Sequence, residues 1–127
     1  MVIFGIGIDV VEVDRIAASL EDFGDRFARK VFTDAERAYC DRQKKPSLHY
    51  AARFAAKEAV AKAFGTGIGK DLAWLDMEIR RRESGEPEMV LSGDGARFAQ
   101  ANQIDQIKIS LTHARDYAAA NAIVLGH

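Results

Sequence analysis

Ala51-Ala52-Arg53-Phe54-Ala55-Ala56-Lys57-Glu58-Ala59-Val60-Ala61-Lys62-Ala63-Phe64-Gly65-Thr66-Gly67 is the stretch around which the rest of the chain must be arranged. Ala, Lys, Glu and Arg are strong helix formers, and Gly65 and Gly67 supply the backbone freedom needed past a helix C-terminus. Pro46 and Ser47 put the start just upstream. The small side chains predict close packing against a neighbouring element, leaving Arg53, Lys57, Glu58 and Lys62 on a polar strip. Phe54, Glu58 and Lys62 stand at i, i+4 and i+8 and share one face. A carboxylate one turn from a lysine, running into Gly65-Thr66-Gly67-Ile68-Gly69, can hold a metal-bound phosphate. The same spacing is also the ordinary stabilising Glu–Lys helix pair, worth about 0.2–0.5 kcal/mol. On this segment alone both readings stay open.

The N-terminus adds a second carboxylate. Residues 2–8 read as a buried strand, apolar apart from glycine, and Asp9 closes it. A carboxylate there either caps a turn or binds something. Mg²⁺ is typically held by one or two carboxylates, with waters and substrate phosphates completing the octahedron. Asp9 and Glu58 can supply such a pair.

Other motifs fall short. Gly5-Ile6-Gly7-Ile8-Asp9-Val10 lacks the third glycine of a dinucleotide fingerprint, and its first glycine lies within the strand. Gly65-Thr66-Gly67-Ile68-Gly69-Lys70-Asp71 has the wrong glycine spacing for a phosphate loop and follows a helix rather than a strand. His49, His113 and His127 show no zinc spacing. Cys40 reads as a packed small residue rather than a nucleophile.

At 127 residues the natural reading is one domain spanning 1–127. With 48% hydrophobic and 29% charged residues, the composition is that of a globular protein. The net charge of −1 gives no global drive toward nucleic acid or an anionic membrane. No apolar run reaches the ~20 residues of a bilayer span, and the apolar start lacks the cationic leader of a signal peptide. The single Cys40 fits a reducing, cytoplasmic setting.

Along the chain, Asp14 is expected to cap a helix through Leu20, with Ile16, Leu20 and Phe23 inward and Gly24 ending it. A basic turn or short helix follows over 25–30. Thr33 caps a helix through Asp41, with Glu36 completing a capping box. Residues 75–80 and 87–91 form a hairpin about Ser84-Gly85-Glu86, Asp94 starts a helix through about Gln103, and 107–111 and 117–125 close as strands, with His113 in the turn between them. Helices clustered early and antiparallel strands late argue for an α+β fold.

Four blocks, taken in order, resemble the holo-[acyl-carrier-protein] synthases, the short bacterial 4′-phosphopantetheinyl transferases. They are Gly5-Ile6-Gly7-Ile8-Asp9-Val10-Val11-Glu12-Val13-Asp14-Arg15-Ile16; Val31-Phe32-Thr33-Asp34-Ala35-Glu36 with Tyr39-Cys40; Arg53-Phe54-Ala55-Ala56-Lys57-Glu58-Ala59 with Lys62 and Gly65-Thr66-Gly67; and Ser110-Leu111-Thr112-His113 with Asp116-Tyr117-Ala118. Thr112 stands where serine is common, and its hydroxyl keeps the hydrogen bond. The match covers nearly the whole chain.

The resemblance implies a 4′-phosphopantetheinyl transferase-like fold, with helices packed on a mainly antiparallel sheet. It implies transfer of 4′-phosphopantetheine from coenzyme A to a serine of apo acyl carrier protein, a step serving fatty acid biosynthesis. Asp9 and Glu58 become ligands of Mg²⁺ and, with Lys62, the catalytic residues. Arg53, Lys62, Gly65 and His113 become contacts to the nucleotide and its phosphates. Arg15, Arg26 and Arg29 become docking residues for the acidic carrier, Arg15 because it lies in a matched block and the other two by charge alone. The resemblance also implies a homotrimer with active sites between subunits, and Phe98, Ile107, Ile109, Ile123 and Val124 are candidate interface residues. Two other activities would use some of the same residues: a Mg²⁺-dependent hydrolase of a nucleotide pyrophosphate, and a non-catalytic carrier-protein binding module.

Overall fold

The computed structural model describes residues 1–127. In chain order the elements are β1 (Val2–Glu12), α1 (Val13–Phe23), α2 (Asp25–Val31), α3 (Asp34–Asp41), α4 (Pro46–Phe64), β2 (Met77–Arg81), β3 (Pro87–Leu91), α5 (Gly93–Ala101), β4 (Ile104–His113) and β5 (Tyr117–Gly126). A 3-10 turn at Trp74–Asp76 takes two of the residues expected to begin β2. Strands β1, β5 and β4 form an antiparallel sheet in that order, and β2 and β3 form a separate hairpin. Helix α4 lies across one face of the three-stranded sheet, and α1 and α3 pack on α4. The architecture is the expected α+β fold.

Local signals act where they were read. Thr33 Oγ1 accepts from the Glu36 backbone while the Glu36 carboxylate accepts from the Thr33 N–H, so α3 opens on a complete capping box. Pro46 sits in the first turn of α4, and Gly65 ends it in the left-handed conformation at φ 79°. At the start of α1 the flanking residue is Glu12, and Asp14 lies inside the first turn, where its charge favours the helix dipole. Phe23, expected inward, is exposed. Helix α5 stops at Ala101, before the left-handed Gln103.

β1 is longer than expected and differently faced. It runs on to Glu12, so Asp9 lies within the strand, paired with Ala120 of β5. Gly5, Gly7, Asp9 and Val11 alternate onto one face, while Ile6, Ile8 and Val10 point to the other and are exposed. The run is apolar on both faces, but only one face is covered by this chain.

The covered face explains the glycines. A Cβ on Gly5 would stand 1.9 Å from the Ala63 carbonyl oxygen, and one on Gly7 the same 1.9 Å from that of Ala59. As β1 advances by two residues its contact on α4 retreats by four, so helix and strand run antiparallel with their backbones touching. Opposite them β5 offers Ala118, Ala120, Ala122 and Val124, all buried, and α4 answers with Ala55, Ala56, Ala59 and Ala63.

Arg53 and Lys57 do not lie on a polar strip. They are 2% and 0% exposed, because α3 and the β2–β3 hairpin close over that side of the helix. Lys57 Nζ donates to Glu36 Oε1 at 2.6 Å, to the Val31 carbonyl at 2.7 Å and to the Trp74 carbonyl at 3.3 Å. Glu36 Oε2 accepts from the Ile79 N–H at 2.8 Å. One buried ion pair thus fastens the 31–36 turn and the hairpin to α4. Periodicity on the helix alone does not reveal that cover.

Gly7→Ala is expected to destabilise the chain by about 3 kcal/mol, because the added methyl meets main chain that cannot rotate away. Gly69→Ala, which meets nothing within 4 Å, is expected to stay within about 0.5 kcal/mol of the parent. Urea denaturation of both variants tests the contact; equal midpoints would remove it.

Candidate active site

The touching backbones carry Asp9 to the side of α4 where Glu58 and Lys62 emerge. Lys62 Nζ reaches Asp9 Oδ1 at 3.2 Å and the Ile8 carbonyl at 3.0 Å, bridging helix and strand. The Asp9 side chain is largely covered while the lysine is half exposed. Partial burial raises the Glu58 carboxyl above its ordinary value, the Asp9 charge raises it further, and Lys62 opposes both. Lys62 thus bonds Asp9 rather than completing an isolated helix pair with Glu58. Two half-buried carboxylates that repel one another, with one lysine between them and solvent, form a site at which a cation is favoured. No group of three or more His, Cys, Asp or Glu side chains comes together in the chain, so the donor set here is the two carboxylates alone. A divalent ion that keeps waters and takes substrate phosphate as ligands fits a two-carboxylate donor set.

A second constellation stands further toward the start of α4. The Arg53 guanidinium lies 4.2 Å over the Tyr39 ring, and Arg81 of β2 approaches the same ring at 5.4 Å. His49, one turn before Arg53, meets Tyr39 at 5.9 Å and His113 at the end of β4 at 5.1 Å between ring centroids. Burial lowers the His49 pKa, and His113, Arg53 and Arg81 lower it further. The site residues predicted from sequence therefore fall in two places: Asp9, Glu58 and Lys62 together, and Arg53 with His113 beyond them. Arg53 and Glu58 are five residues apart on one helix, about 7.5 Å along its axis.

Gly65 caps α4 just past Lys62, and a Cβ there would meet nothing within 4 Å. Its φ of 79°, rather than crowding, accounts for the glycine. His113 belongs to the last rung of β4, paired with Ala118, rather than to the turn. Arg15 on α1 and Arg26 and Arg29 on α2 are all exposed, and Arg29 stands 3.9 Å from Asp25. Cys40 is fully buried and its thiol is pushed up to about 12 by burial, consistent with a packed, unreactive residue. His49 and Arg81 were not among the residues singled out. His49 was findable from its i, i+4 spacing to Arg53; Arg81 arrives only through the fold of the hairpin.

The fold has counterparts among known proteins. The family model of the 4′-phosphopantetheinyl transferase superfamily matches residues 5–122. Over 120 residues the chain is 48% identical to a holo-[acyl-carrier-protein] synthase of Chlamydia trachomatis serovar L2, covering 94% of this chain and 98% of that one. Among solved structures, the holo-[acyl-carrier-protein] synthase of Neisseria meningitidis superposes with a TM-score of 0.92 at 31% identity, covering 98% and 99% of the two chains. The Helicobacter pylori holo-[acyl-carrier-protein] synthase, solved in complex with coenzyme A, gives 0.85 at 31% identity, covering 94% and 99%.

The chain belongs to the 4′-phosphopantetheinyl transferase superfamily. Within it, the chain is an enzyme of the holo-[acyl-carrier-protein] synthase type.

The raised Glu58 pKa has a measurable consequence. A carboxyl whose folded pKa lies above its unfolded one binds more protons folded than unfolded, so stability falls as pH rises from 4.5 through the folded value. Glu58→Gln is therefore expected to raise Tm at pH 7 in metal-free buffer and to lose that advantage near pH 4. An equal shift at both pH values would show that Glu58 carries no electrostatic strain.

Proposed function

We propose that this enzyme transfers 4′-phosphopantetheine from coenzyme A to a serine of apo acyl carrier protein, with Mg²⁺, releasing 3′,5′-ADP. The observation that carries the reading is the meeting of Asp9, Glu58 and Lys62 at the β1–α4 contact. It is joined by the coenzyme A held by the related Helicobacter pylori enzyme. Asp9 and Glu58 are the residues to hold Mg²⁺, and the chemistry supplied by the bound ion is neutralisation of charge on the pyrophosphate oxygens. Lys62, half exposed at the same spot, adds a second positive charge toward those oxygens.

The new bond joins the serine oxygen to the β-phosphorus, and the bond to the oxygen of departing 3′,5′-ADP breaks. Glu58, directly or through a water, accepts the serine proton. Arg53, Gly65 and His113 bind the nucleotide and its phosphates. Arg15, Arg26 and Arg29 present exposed positive charge to an acidic carrier. The cytoplasm, where Cys40 stays reduced, is the proposed compartment. One domain over 1–127 is proposed to carry all of this.

The enzyme is further proposed to act as a homotrimer. Ile6, Ile8 and Val10 are 60–70% exposed along one strand face, beside Ile123 on β5. A groove of about 550 Å³ lined by Ile6, Ile8, Asn121 and Ile123 opens beside Lys62. Apolar surface next to a catalytic lysine suits a site completed by a second copy. The interface is thus assigned to β1. Of the residues first considered, Val124 is buried, Ile107 and Ile109 pack on the core, and Phe98 stacks on Phe64 at 5.4 Å; only Ile123 stays exposed.

Intact-mass measurement of apo acyl carrier protein after incubation with enzyme, coenzyme A and Mg²⁺ is expected to show one added phosphopantetheine, abolished by EDTA. Glu58→Gln should lower turnover by about 10²–10⁴-fold. Release of 3′,5′-ADP without carrier would favour the hydrolase, and carrier binding without mass gain the binding module.

Sedimentation at micromolar protein should give three-chain particles, and Ile6→Glu single chains. A monomeric parent would overturn the trimer.

A further inference from the structure

Lys57 is 0% exposed, and nothing in the proposed reaction uses it. Its ammonium has three protons to donate. They go to Glu36 Oε1 at 2.6 Å, the Val31 carbonyl at 2.7 Å and the Trp74 carbonyl at 3.3 Å. Glu36, equally buried, balances the charge. The bond to Val31 has the widest consequence. Val31 is the last residue of α2, so its carbonyl is one of those a helix end leaves without a partner inside the helix. A cation there also suits the negative end of the helix dipole.

Helix α2 has little else to fix it. Its seven residues fall well short of the ~12–15 at which an isolated helix holds itself. It is entered through Gly24 at φ 54°, where a Cβ would meet only the Leu20 carbonyl at 3.9 Å, and its start has no side-chain cap. Ala28 and Val31 are buried, and Phe27 packs edge-on to Phe32. The Lys57–Val31 contact is the one side-chain hydrogen bond that reaches α2 from another element. The outer side of α2 carries Arg26, Arg29 and Lys30, all exposed. The anchor of that basic surface is thus the residue next to Glu58 in the chain.

We propose that Lys57 is a positioning residue for the acceptor protein: by holding the end of α2 it sets where Arg26 and Arg29 stand relative to Glu58, and so where an acidic carrier docked on α2 delivers its serine. The inference rests on the carrier reading above. Lys57 touches neither substrate, being enclosed on all sides. Removing its amine leaves the Glu36–Ile79 and Thr33–Glu78 bonds, which tie α3 to the β2–β3 hairpin. It also leaves Asp9, Lys62, Gly65 and His113 on elements whose mutual contacts do not pass through it. Loss of the amine therefore falls on carrier docking before it falls on coenzyme binding. It falls on KM before kcat, because a carrier once seated meets an unaltered Asp9, Glu58 and Lys62.

The test is a double-mutant cycle in steady-state kinetics with apo acyl carrier protein, joined to calorimetry of coenzyme A on the intact oligomer at fixed Mg²⁺. Lys57→Met keeps the length of the side chain and removes its charge. Lys57→Met/Glu36→Gln leaves no unpaired buried charge behind and guards against a folding defect in the single variant. Both are expected to raise the carrier KM about 5–20-fold, with kcat within about 3-fold and the coenzyme A Kd within about 2-fold of the parent. In an Arg26→Ala/Arg29→Ala background the same substitutions should change the carrier KM by less than about 2-fold, because the charges they position are gone.

An undiminished rise in that background would overturn the role of Lys57 while leaving the docking surface standing. A fall in kcat at constant carrier KM would also overturn it, by placing the effect at Glu58. Equal losses for carrier and coenzyme A would mark a general loosening of the fold, and a parental carrier KM in both variants no role at all; either sinks the inference. If Arg26→Ala/Arg29→Ala alone leaves the carrier KM unchanged, the docking surface on α2 falls, and this inference with it.

Discussion

Everything at the site depends on how closely α4 can lie on β1. Gly5 and Gly7 leave no side chain between helix and strand, and the Ala59 and Ala63 carbonyls fill the space a Cβ would take. Asp9 is the next residue on that same face, and it is the first to bear a side chain long enough to reach around the helix rather than push it away. The carboxylate therefore comes to Lys62 at 3.2 Å and within electrostatic reach of Glu58. A conventional side-chain layer would separate helix and sheet by several ångströms more, and Asp9 would no longer reach Lys62. Glycine spacing here sets the Asp9–Lys62 contact through packing.

The buried Lys57–Glu36 pair fixes the other side of the same helix. Breaking one partner of such a pair is strongly unfavourable, about 3–5 kcal/mol, because the survivor is left as an unpaired buried charge. Its structural effect is to tie α3 and the hairpin to α4, since Lys57 also bonds the Val31 and Trp74 carbonyls and Glu36 the Ile79 N–H. Those ties bring Tyr39 and Arg81 over Arg53. Lys57 and Glu58 are neighbours in sequence with opposite surroundings: one clamps the scaffold underneath, the other faces Asp9 and Lys62.

Features that depend on a few adjacent residues were legible in the sequence. The Thr33–Glu36 box, the Pro46 start and the Gly65 cap are satisfied by local backbone geometry, and they appear where their residues stand. Asp9, Glu58 and Lys62 were singled out from the sequence and meet in the structure, yet Asp9 was taken to end a strand that in fact continues to Glu12. Parity held the better signal: Gly5, Gly7 and Asp9 share a face by simple alternation, which marks the isoleucines between them as facing away. The burial of Arg53 and Lys57 was not legible, because polar residues on an Ala-rich helix look the same whether solvent or a distant hairpin covers them. The same limit hid Arg81, which is brought to Tyr39 only by tertiary structure.

The charges along α4 are sorted by what they can accept. Toward its C-terminal end partial burial and the Asp9 charge raise the Glu58 carboxyl above its ordinary value, which favours a cation there. Toward its start Arg53 is buried with its Nε unpartnered, beside His49 and with Arg81 of β2 and His113 of β4 exposed nearby. Each half-site is electrostatically poor when empty. That stored imbalance, held in place by the touching backbones on one side of α4 and the buried ion pair on the other, is binding energy available to a ligand of matching charge pattern.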